Sequence, residues 1–592
     1  MYHILICDDE RDIVNALKIY LHDENDSVIE VISGIKYGDA YSLTIPEKVG
    51  HDFEGCYYLD NENEISFPVS GNYSLTDSVH VFIRYSPKIF TITYELGNSV
   101  FLDSGTMRDT YTYGESFSLP AFYKVGYLYN GLYIKNTTEK RTYIYATDCR
   151  DFVFVPQFTG TVYTLSSASP NSVNITAAYS IVESYSSAGN PIRCMINIAA
   201  TVNVFTIKSN YSAFQNTSLT VLTRNTPLKI ILDGYMTYGY DNSHGISSNN
   251  NADLTISVCS TSFVGGAKST DQNNTTGKYG IYKPSGKLIL ETFRHNYTTH
   301  QQLSVMGGAG YSYLYQKMSS PRSGGDGGYG IRANELEITF LQLKAYGGAG
   351  ACGSDGTTGA AGTSVNWNGG TGVNGGSGGD GGYGIYVNKL TLISVIGKIF
   401  GGDGGSGGEG GDGGNGYTQT GVGGGSYQPD GLPGGNGGVG GRGGNGGNGN
   451  YGINNVPQLS RDGESFLEIY GGNGGYGMNG GRGGNGGDGG DGGKGEWNKR
   501  GGNGGDGGDG GQGGQSGNGG NGQNASPFDI LYSDFCTLEA GSGKASVVSN
   551  PGGSGGLGGS GGAKGGWFNS AGSPGEDGAP GDSGAAGTDG TP

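Results

Sequence analysis

Alternation of apolar and polar residues runs through most of the chain before residue 350 and predicts strands. Between Phe90 and Leu96 the segment FTITYEL places an apolar or aromatic side chain at every second position. The segments IRCMINIAATVNVFTI and NTSLTVLTRNTPLKIIL, which follow residue 181, continue this alternation. Because successive side chains of a strand point to opposite faces, a two-residue period is typical of strands with one buried face. The pattern therefore predicts a mainly β chain.

The first 25 residues differ from this pattern. HILICDDE reads as a short apolar strand that ends in acidic residues, and RDIVNALKIYL then places Ile13, Leu17 and Leu21 on one face of a predicted helix. Residues 1–25 resemble the start of a response-regulator receiver domain, in which the acidic pair, here Asp8 and Asp9, helps to hold Mg²⁺. The phosphoacceptor Asp and the Lys of that family have no counterparts downstream. We interpret residues 1–25 as a receiver-like fragment without phosphorelay function, joined near residue 25 in place of another amino terminus.

An internal repeat follows the fragment. Five residues recur 76 positions later in the chain, namely Lys48, Val49, Gly50, Gly55 and Tyr57 as Lys124, Val125, Gly126, Gly131 and Tyr133. Tyr37-Gly38 likewise recurs as Tyr113-Gly114. The sequence predicts two small modules, an incomplete one over 28–86 that lacks its opening strand and a complete one over 88–180.

The second module resembles the internalin B-type repeat of bacterial surface proteins. The resemblance is carried by four spaced segments, which are Ile92–Gly97, YGESFSLP at Tyr113–Pro120, KVGYLYNGLY at Lys124–Tyr133 and VNITAAY at Val173–Tyr179. Leu132 and Tyr179 stand where that family prefers Trp. The resemblance implies β-grasp-like modules that act as stalks or spacers outside bacterial cells, with the aromatic residues packed in their cores.

A second repeat occupies residues 181–592. Each copy has Gly-Ile, a few polar residues, a β-rich segment and then Gly-Gly, and the Gly-Ile pairs are Gly245-Ile246, Gly280-Ile281, Gly330-Ile331, Gly384-Ile385 and Gly452-Ile453. The distance between copies grows because glycine-rich residues are added at one place. Constant strands with one lengthening loop predict a stacked parallel β-helix, or solenoid, with insertions on one side.

The insertions repeat every third residue, as in GGNGGDGGDGG, with two glycines and one polar residue. This GGX period fits an extended helix with three residues per turn, packed as in polyglycine II, with the polar residue facing outward. A disordered glycine-rich segment is the alternative. Only residues 571–592 approach a collagen-like tail. Calcium binding stays an alternative of low weight, because glycine stands where calcium-binding nonapeptide repeats need an apolar residue.

Composition narrows the classes of function. The net charge of −18, without a basic patch, argues against a nucleic-acid partner. The 7 Cys are scattered singly and predict neither a disulfide framework nor a metal site. No apolar run approaches the roughly 18 residues that cross a membrane, and no export signal is visible before residue 28.

Motifs for catalysis are lacking. The acids of the predicted strands, such as Glu335, Glu337 and Glu468, are isolated, and His295 and His300 are five residues apart without a ligand pattern. We therefore assign no catalytic, cofactor-binding or metal-binding residues, and expect a chain that is not an enzyme.

These features predict an extracellular or cell-surface bacterial repeat protein for adhesion or structural display, with a glycan or protein partner. One alternative is a phage-type receptor-binding or ice-binding glycine-rich protein, for which regular Thr or apolar loops would be expected. The other alternative is a response regulator, which only residues 1–25 support.

Overall fold

The computed structural model describes residues 17–486 with interruptions, and isolated residues up to 542. The undescribed residues within 17–486 are 24, 185–190, 210–214, 294–298, 419–431, 455, 463 and 479, and beyond 486 the described ones are 506, 509–513, 515, 516, 518, 521, 522, 536–540 and 542. Across these residues every regular element is a β-strand, which confirms the prediction of a mainly β chain. The chain divides into two compact units, Met1–Thr159 and Gly160–Pro592.

The described residues of the first unit contain sixteen strands. They are β1 (Lys18–His22), β2 (Val28–Ser33), β3 (Ala40–Ser42), β4 (His51–Asp60), β5 (Asn63–Phe67), β6 (Ser70–Asn72), β7 (Val79–Pro87), β8 (Ile89–Tyr94), β9 (Val100–Ser104), β10 (Thr110–Thr112), β11 (Phe117–Ser118), β12 (Ala121–Lys124), β13 (Leu128–Ile134), β14 (Lys140–Arg141), β15 (Tyr143–Ile144) and β16 (Phe152–Thr159).

These strands form two modules with the same central topology. In the first module β7 pairs in parallel with β1 and antiparallel with β4, and in the second β16 pairs in parallel with β8 and antiparallel with β13. Each module has its own apolar core, one around Ile19, Val81 and Phe67 and the other around Ile92 and Phe154.

The glycines of the internal repeat keep their conformation from one module to the other. Gly55 and Gly131 both have positive φ, at 151° and 121°, and both lie in a bulge of the antiparallel pair. Gly50 and Gly126 also share a positive φ, at 72° and 85°. Glycine is required where the chain must adopt such angles, so backbone geometry explains why these residues recur.

The predicted helix of the receiver-like fragment is wrong over the described residues. Lys18–His22 is a strand, whose Ile19 and Leu21 are fully buried beside Val79 and Val81. The two-residue spacing of Ile19 and Leu21 fits a strand, and the four-residue spacing of Ile13, Leu17 and Leu21 fits a helix equally well. Pairing with β7 decides for the strand. The first module therefore has an opening strand, supplied by residues assigned to the fragment. Residues 1–16, with Asp8 and Asp9, lie outside the described residues.

The second module ends earlier than predicted. Its last strand is β16, and the unit boundary follows Thr159. The segment Val173–Tyr179, predicted as the end of the module, instead lies at the start of the parallel sheet of the second unit.

The second unit contains the other described strands. They are β17 (Thr161–Leu165), β18 (Ser172–Ile175), β19 (Tyr179–Ser184), β20 (Arg193–Ile198), β21 (Val204–Ser209), β22 (Asn216–Val221), β23 (Leu228–Asp233), β24 (Met236–Thr237), β25 (Ile246–Ser248), β26 (Leu254–Ser260), β27 (Ser262–Gly265), β28 (Ile281–Thr292), β29 (Gln301–Met306), β30 (Lys317–Met318), β31 (Ile331–Thr339), β32 (Leu341–Tyr346), β33 (Asp355–Gly356), β34 (Ile385–Tyr386), β35 (Lys389–Ile393), β36 (Ile396–Phe400), β37 (Gln458–Arg461), β38 (Phe466–Tyr470) and β39 (Cys536–Glu539).

These strands pair in parallel throughout; β30 and β33 pair with each other, and the others build three ladders. Ladder A runs β17-β19-β21-β23-β26-β28-β31-β35-β37, and ladder B runs β18-β20-β22-β25-β28-β31-β34, with β28 and β31 long enough to belong to both. Ladder C runs β24-β27-β29-β32-β36-β38-β39. We call each passage of the chain through the ladders a coil, and the next coil stacks on it by β-pairing.

The Gly-Ile pairs of the sequence repeat stack directly in ladder B. Ile246, Ile281, Ile331, Ile385 and Ile453 are successive partners, and each is fully buried. A continuous apolar core runs through the unit along these and the matching residues of the other ladders. Burial of each such side chain contributes roughly 1.5–3 kcal/mol, so the core fixes the register of consecutive coils.

Candidate interaction surface

The glycine-rich insertions that the structure describes lie between ladder C and ladder B and form two hydrogen-bonded layers. Segments that leave ladder C stack on one another as the outgoing layer, and segments that come back to ladder B stack as the return layer. The outgoing segments are 307–313, 347–362, 401–417 and the described residues of 471–486, and the return segments are 324–329, 368–383, 434–451 and the described residues of 506–522.

One triplet shows how the layers hold together. Gly378 donates its backbone N–H to the carbonyl of Asn445 in the next coil, at 2.8 Å. Gly379 donates to the carbonyl of Ala351 in the outgoing layer, at 2.9 Å. The third residue, Asp380, donates its N–H to Oδ1 of Asp326 in the preceding coil, at 2.9 Å. All three N–H groups of the triplet are therefore satisfied, as buried backbone groups require.

The two glycines of a triplet have no room for a side chain. A Cβ on Gly378 would lie 1.9 Å from the carbonyl oxygen of Gly405 in the other layer, and a Cβ on Gly379 would lie 2.1 Å from that of Gly325. Such distances are far inside van der Waals contact. The close approach of neighbouring backbones thus explains the GGX period.

The side chain at the third position of the triplet acts as a hydrogen-bond acceptor, a role that the sequence did not predict. Its side chain is mostly exposed, and where it is Asn or Asp its Oδ1 accepts the N–H of the third residue one coil further on. Pairs of this kind, written as donor and acceptor, are Asp380–Asp326, Asn448–Asp380, Asn521–Asn448, Glu409–Asp355, Asn436–Asn368, Arg442–Asn374, Asn473–Asp403, Arg482–Asp412 and Asn485–Asn415, at 2.7–3.0 Å. The donor varies in type, whereas the acceptor is always Asn or Asp.

This arrangement refines the predicted outward face. The donor and acceptor residues of these bonds are 54, 68, 70 or 73 positions apart in the sequence. The exposed faces therefore present Asn, Asp, Glu and Arg side chains in rows whose spacing is set by the backbone, about 4.8 Å from coil to coil.

An aromatic column borders the return layer where it joins ladder B. The rings of His244, Tyr279, Tyr329, Tyr383 and Tyr451 follow one another with centroids 4.9–6.0 Å apart. The tyrosines of this column precede the Gly-Ile pairs, and stacking of the coils brings them together. Burial raises the pKa of Tyr329 to about 12, so that its hydroxyl stays protonated at neutral pH.

A second column runs beside the first and contains one cation. Tyr282, Arg332 and Tyr386 are successive partners in ladder B, directly after the buried isoleucines. The Arg332 guanidinium lies 5.7–5.8 Å from the ring centroids of Tyr279, Tyr282 and Tyr386. Sequence analysis missed this cluster, although the segments KYGIYK, GYGIRA and GYGIYV place an aromatic or Arg residue on both sides of each Gly-Ile pair.

His244 is held as a neutral ring at the start of the first column. The backbone N–H of Tyr279 donates to its Nδ1 at 2.9 Å, and the ring stacks on Tyr282 with centroids 4.6 Å apart. Burial, and then the positive charges of Lys278 and Arg332, lower the pKa of His244 to about 4. A proton on Nδ1 would remove the acceptor of the Tyr279 bond.

The residues considered for chemistry in the sequence do not assemble into a site. The three strand acids form ion pairs with lysines of neighbouring coils, Glu335 with Lys389, Glu337 with Lys287 and Glu468 with Lys398. His300 lies 2.9 Å from the carbonyl of Ser394, and His295 is outside the described residues.

Cysteine side chains and possible metal ligands are also dispersed. Cys56, Cys149, Cys194, Cys259 and Cys352 are free thiols, and burial raises the pKa of Cys259 to about 11. In the part of the chain that the structure describes, no group of three or more His, Cys, Asp or Glu side chains could hold a metal ion. The predicted collagen-like tail, 571–592, lies outside the described residues.

Comparisons with models of known protein families and with curated proteins find no match to this chain. Among the described residues there is no helix with the length and apolar character needed to span a membrane.

Replacing a glycine of the return layer should break the stacking. In Gly381→Ala the new Cβ would lie 1.8 Å from the carbonyl oxygen of Gly402, so we expect a loss of about 1–3 kcal/mol of local stability or more. Hydrogen exchange of residues 369–382 should become faster. The third position offers a control, since the side chain of Ser377 is partly exposed and Ser377→Ala should leave exchange unchanged. Equal protection in both variants would contradict tight packing of the layers.

The side-chain acceptors should stabilise the layers through their oxygen atom and not through their charge. Asp380→Asn keeps an Oδ1 for the N–H of Asn448 and should preserve stability, whereas Asp380→Leu removes it and should cost about 0.5–1.5 kcal/mol. Hydrogen exchange at the Asn448 amide is the measurement. An equally fast amide in both variants would show that the side chain does not protect it.

Acid should loosen the start of the aromatic column. In the unfolded chain His244 binds a proton below about pH 6.5, whereas in the folded protein it does so only near pH 4, so stability should fall as pH falls between these values. Hydrogen exchange of residues 243–282, corrected for its intrinsic pH dependence, should rise in this window. His244→Gln should reduce the pH dependence, and an unchanged profile in that variant would assign the effect to other groups.

Proposed function

We propose that this chain is a non-enzymatic bacterial protein of the cell surface or the extracellular space, used for adhesion or structural display. In this proposal internalin B-type modules act as spacers, and the second unit is a parallel β-helix whose insertions pack as polyglycine II-type layers. The repeated topology of the two modules, with its matching positive-φ glycines, supports the first part. The three parallel ladders and the three-residue hydrogen-bond period support the second.

The observation that carries the proposal is the pair of polar faces fixed by the glycine layers. Exposed third residues are tied to the coils on both sides, as Asp380 is through its backbone N–H, which donates to Asp326 Oδ1, and through its own Oδ1, which accepts from the Asn448 N–H. Binding a partner therefore orders little backbone, and many weak contacts can form at once, which favours multivalent attachment. The rows carry charged and amide side chains, with few threonines, which favours a polar partner over ice.

The test is adhesion of beads coated with the full chain to bacterial and host cells, together with antibody labelling of intact bacteria that produce it. We expect adhesion that soluble chain competes away, and labelling without permeabilisation. The face variant is the triple change Asp355→Asn, Asp403→Asn and Asp412→Asn, which keeps every Oδ1 acceptor and removes only charge. It should weaken adhesion at least severalfold.

A matched control changes net charge equally in the first unit. Asp52→Asn, Asp60→Asn and Asp109→Asn lie at exposed positions of the modules and should leave adhesion unchanged. Equal loss in both triple variants would point to a general effect of charge. Absence of adhesion, or labelling only after permeabilisation, would overturn the proposal.

A further inference from the structure

The middle of the first aromatic column and the whole of the second form one patch on the second unit. We call it the tyrosine–arginine patch and define it by Tyr279, Tyr282, Tyr329, Tyr383, Tyr386 and Arg332. All six residues are partly exposed. The patch spans the coils from β28 to β34, so at about 4.8 Å per coil it extends about 10 Å along the stack.

Arg332 brings a positive charge that no carboxylate of the described residues neutralises. Among the described residues its only polar contact is the hydroxyl of Tyr279, 3.4 Å from Nη1, and it belongs to no ion pair. By contrast, Lys389 and Lys287, on the strands around it, are each paired with a glutamate. An unpaired guanidinium held among aromatic rings is a ready partner for a carboxylate.

The surroundings of the patch add hydrogen-bonding groups of both kinds. The phenol hydroxyls of the tyrosines can donate and accept, and the neighbouring column of third residues, with Asp326 and Asp380 exposed and Asn448 half-buried, adds acceptor oxygens. Lys278, next to Tyr279, is a second cation without an ion pair among the described residues. In a chain with a net charge of −18, this concentration of cations and aromatic rings is a local exception.

We infer that the tyrosine–arginine patch binds an acidic polysaccharide, with a sugar carboxylate on Arg332 and sugar hydroxyls on the tyrosine hydroxyls and the Asp–Asn column. The aromatic rings supply apolar contact for the C–H groups of the sugars. A neutral glycan would leave the guanidinium unpaired, and a polyanion without hydroxyls would face the carboxylates of Asp326 and Asp380 without donating to them. This inference names the ligand class for the proposed adhesive function and rests on it.

The test is binding of a defined oligogalacturonate to the full chain by titration calorimetry, beside its methyl ester and an inorganic polyphosphate. We expect binding of the acid, at least tenfold weaker binding of both others, and weakening by salt. Arg332→Gln should reduce affinity at least tenfold, which corresponds to about 1.4 kcal/mol. Arg193→Gln, an exposed position of ladder B outside the patch, is the matched control and should bind as the unchanged protein does.

Further variants separate a binding role from a structural one. Tyr329→Phe keeps the stacked ring and removes only the hydroxyl, so we expect a two- to fivefold loss of affinity with unchanged hydrogen exchange of residues 278–306.

Equal binding of the methyl ester or of polyphosphate, equal loss in Arg193→Gln, or no binding of oligogalacturonate would overturn the inference. If Arg332→Gln still adheres to cells as the unchanged chain does, the inference fails and the proposed function stands. If the chain binds oligogalacturonate through Arg332 but adheres to no cell, the patch binds its ligand and the proposed adhesive function fails.

Discussion

Contact between glycine backbones, too close for any Cβ, is the constraint on which the second unit depends. Ordering a glycine residue costs about 1–2 kcal/mol of backbone entropy, and a hydrogen bond returns about 0.5–1.5 kcal/mol net. A triplet such as Gly378–Asp380 uses all three of its N–H groups, so the two terms nearly cancel. The layers consequently need the apolar ladders, which hold successive coils in register.

The apolar core and the glycine layers have different roles, and this difference explains the polar surface of the unit. The ladders supply the stability, through fully buried residues such as Ile331 and Leu343. The layers supply the exposed polar surface, because every third residue faces outward on a backbone that is fixed by its hydrogen bonds. At the seam between the two, the same stacking collects residues that are 50 or more positions apart in sequence into the tyrosine–arginine patch.

Sequence reasoning succeeded where the signal is local and failed where a neighbouring coil decides. Gly-Ile pairs indicated stacking because each copy repeats the same buried position, and GGX indicated close packing because glycine is the only residue that fits. Lys18–His22 was misread because Leu17 and Leu21 fit a helix while Ile19 and Leu21 fit a strand, and only β7 resolves this. The acceptor role of Asp380 and the environment of Arg332 depend on partners in adjacent coils, which spacing alone does not reveal.

The hydrogen bonds from one third residue to the next have a consequence for how such a chain can change in length. A segment can be extended by whole triplets, because the added glycines then meet glycines and the added Asn or Asp meets an N–H. An insertion of one or two residues would place a side chain against a backbone carbonyl in every later triplet of that segment. Within the hydrogen-bonded part of a segment we therefore expect growth in steps of three residues.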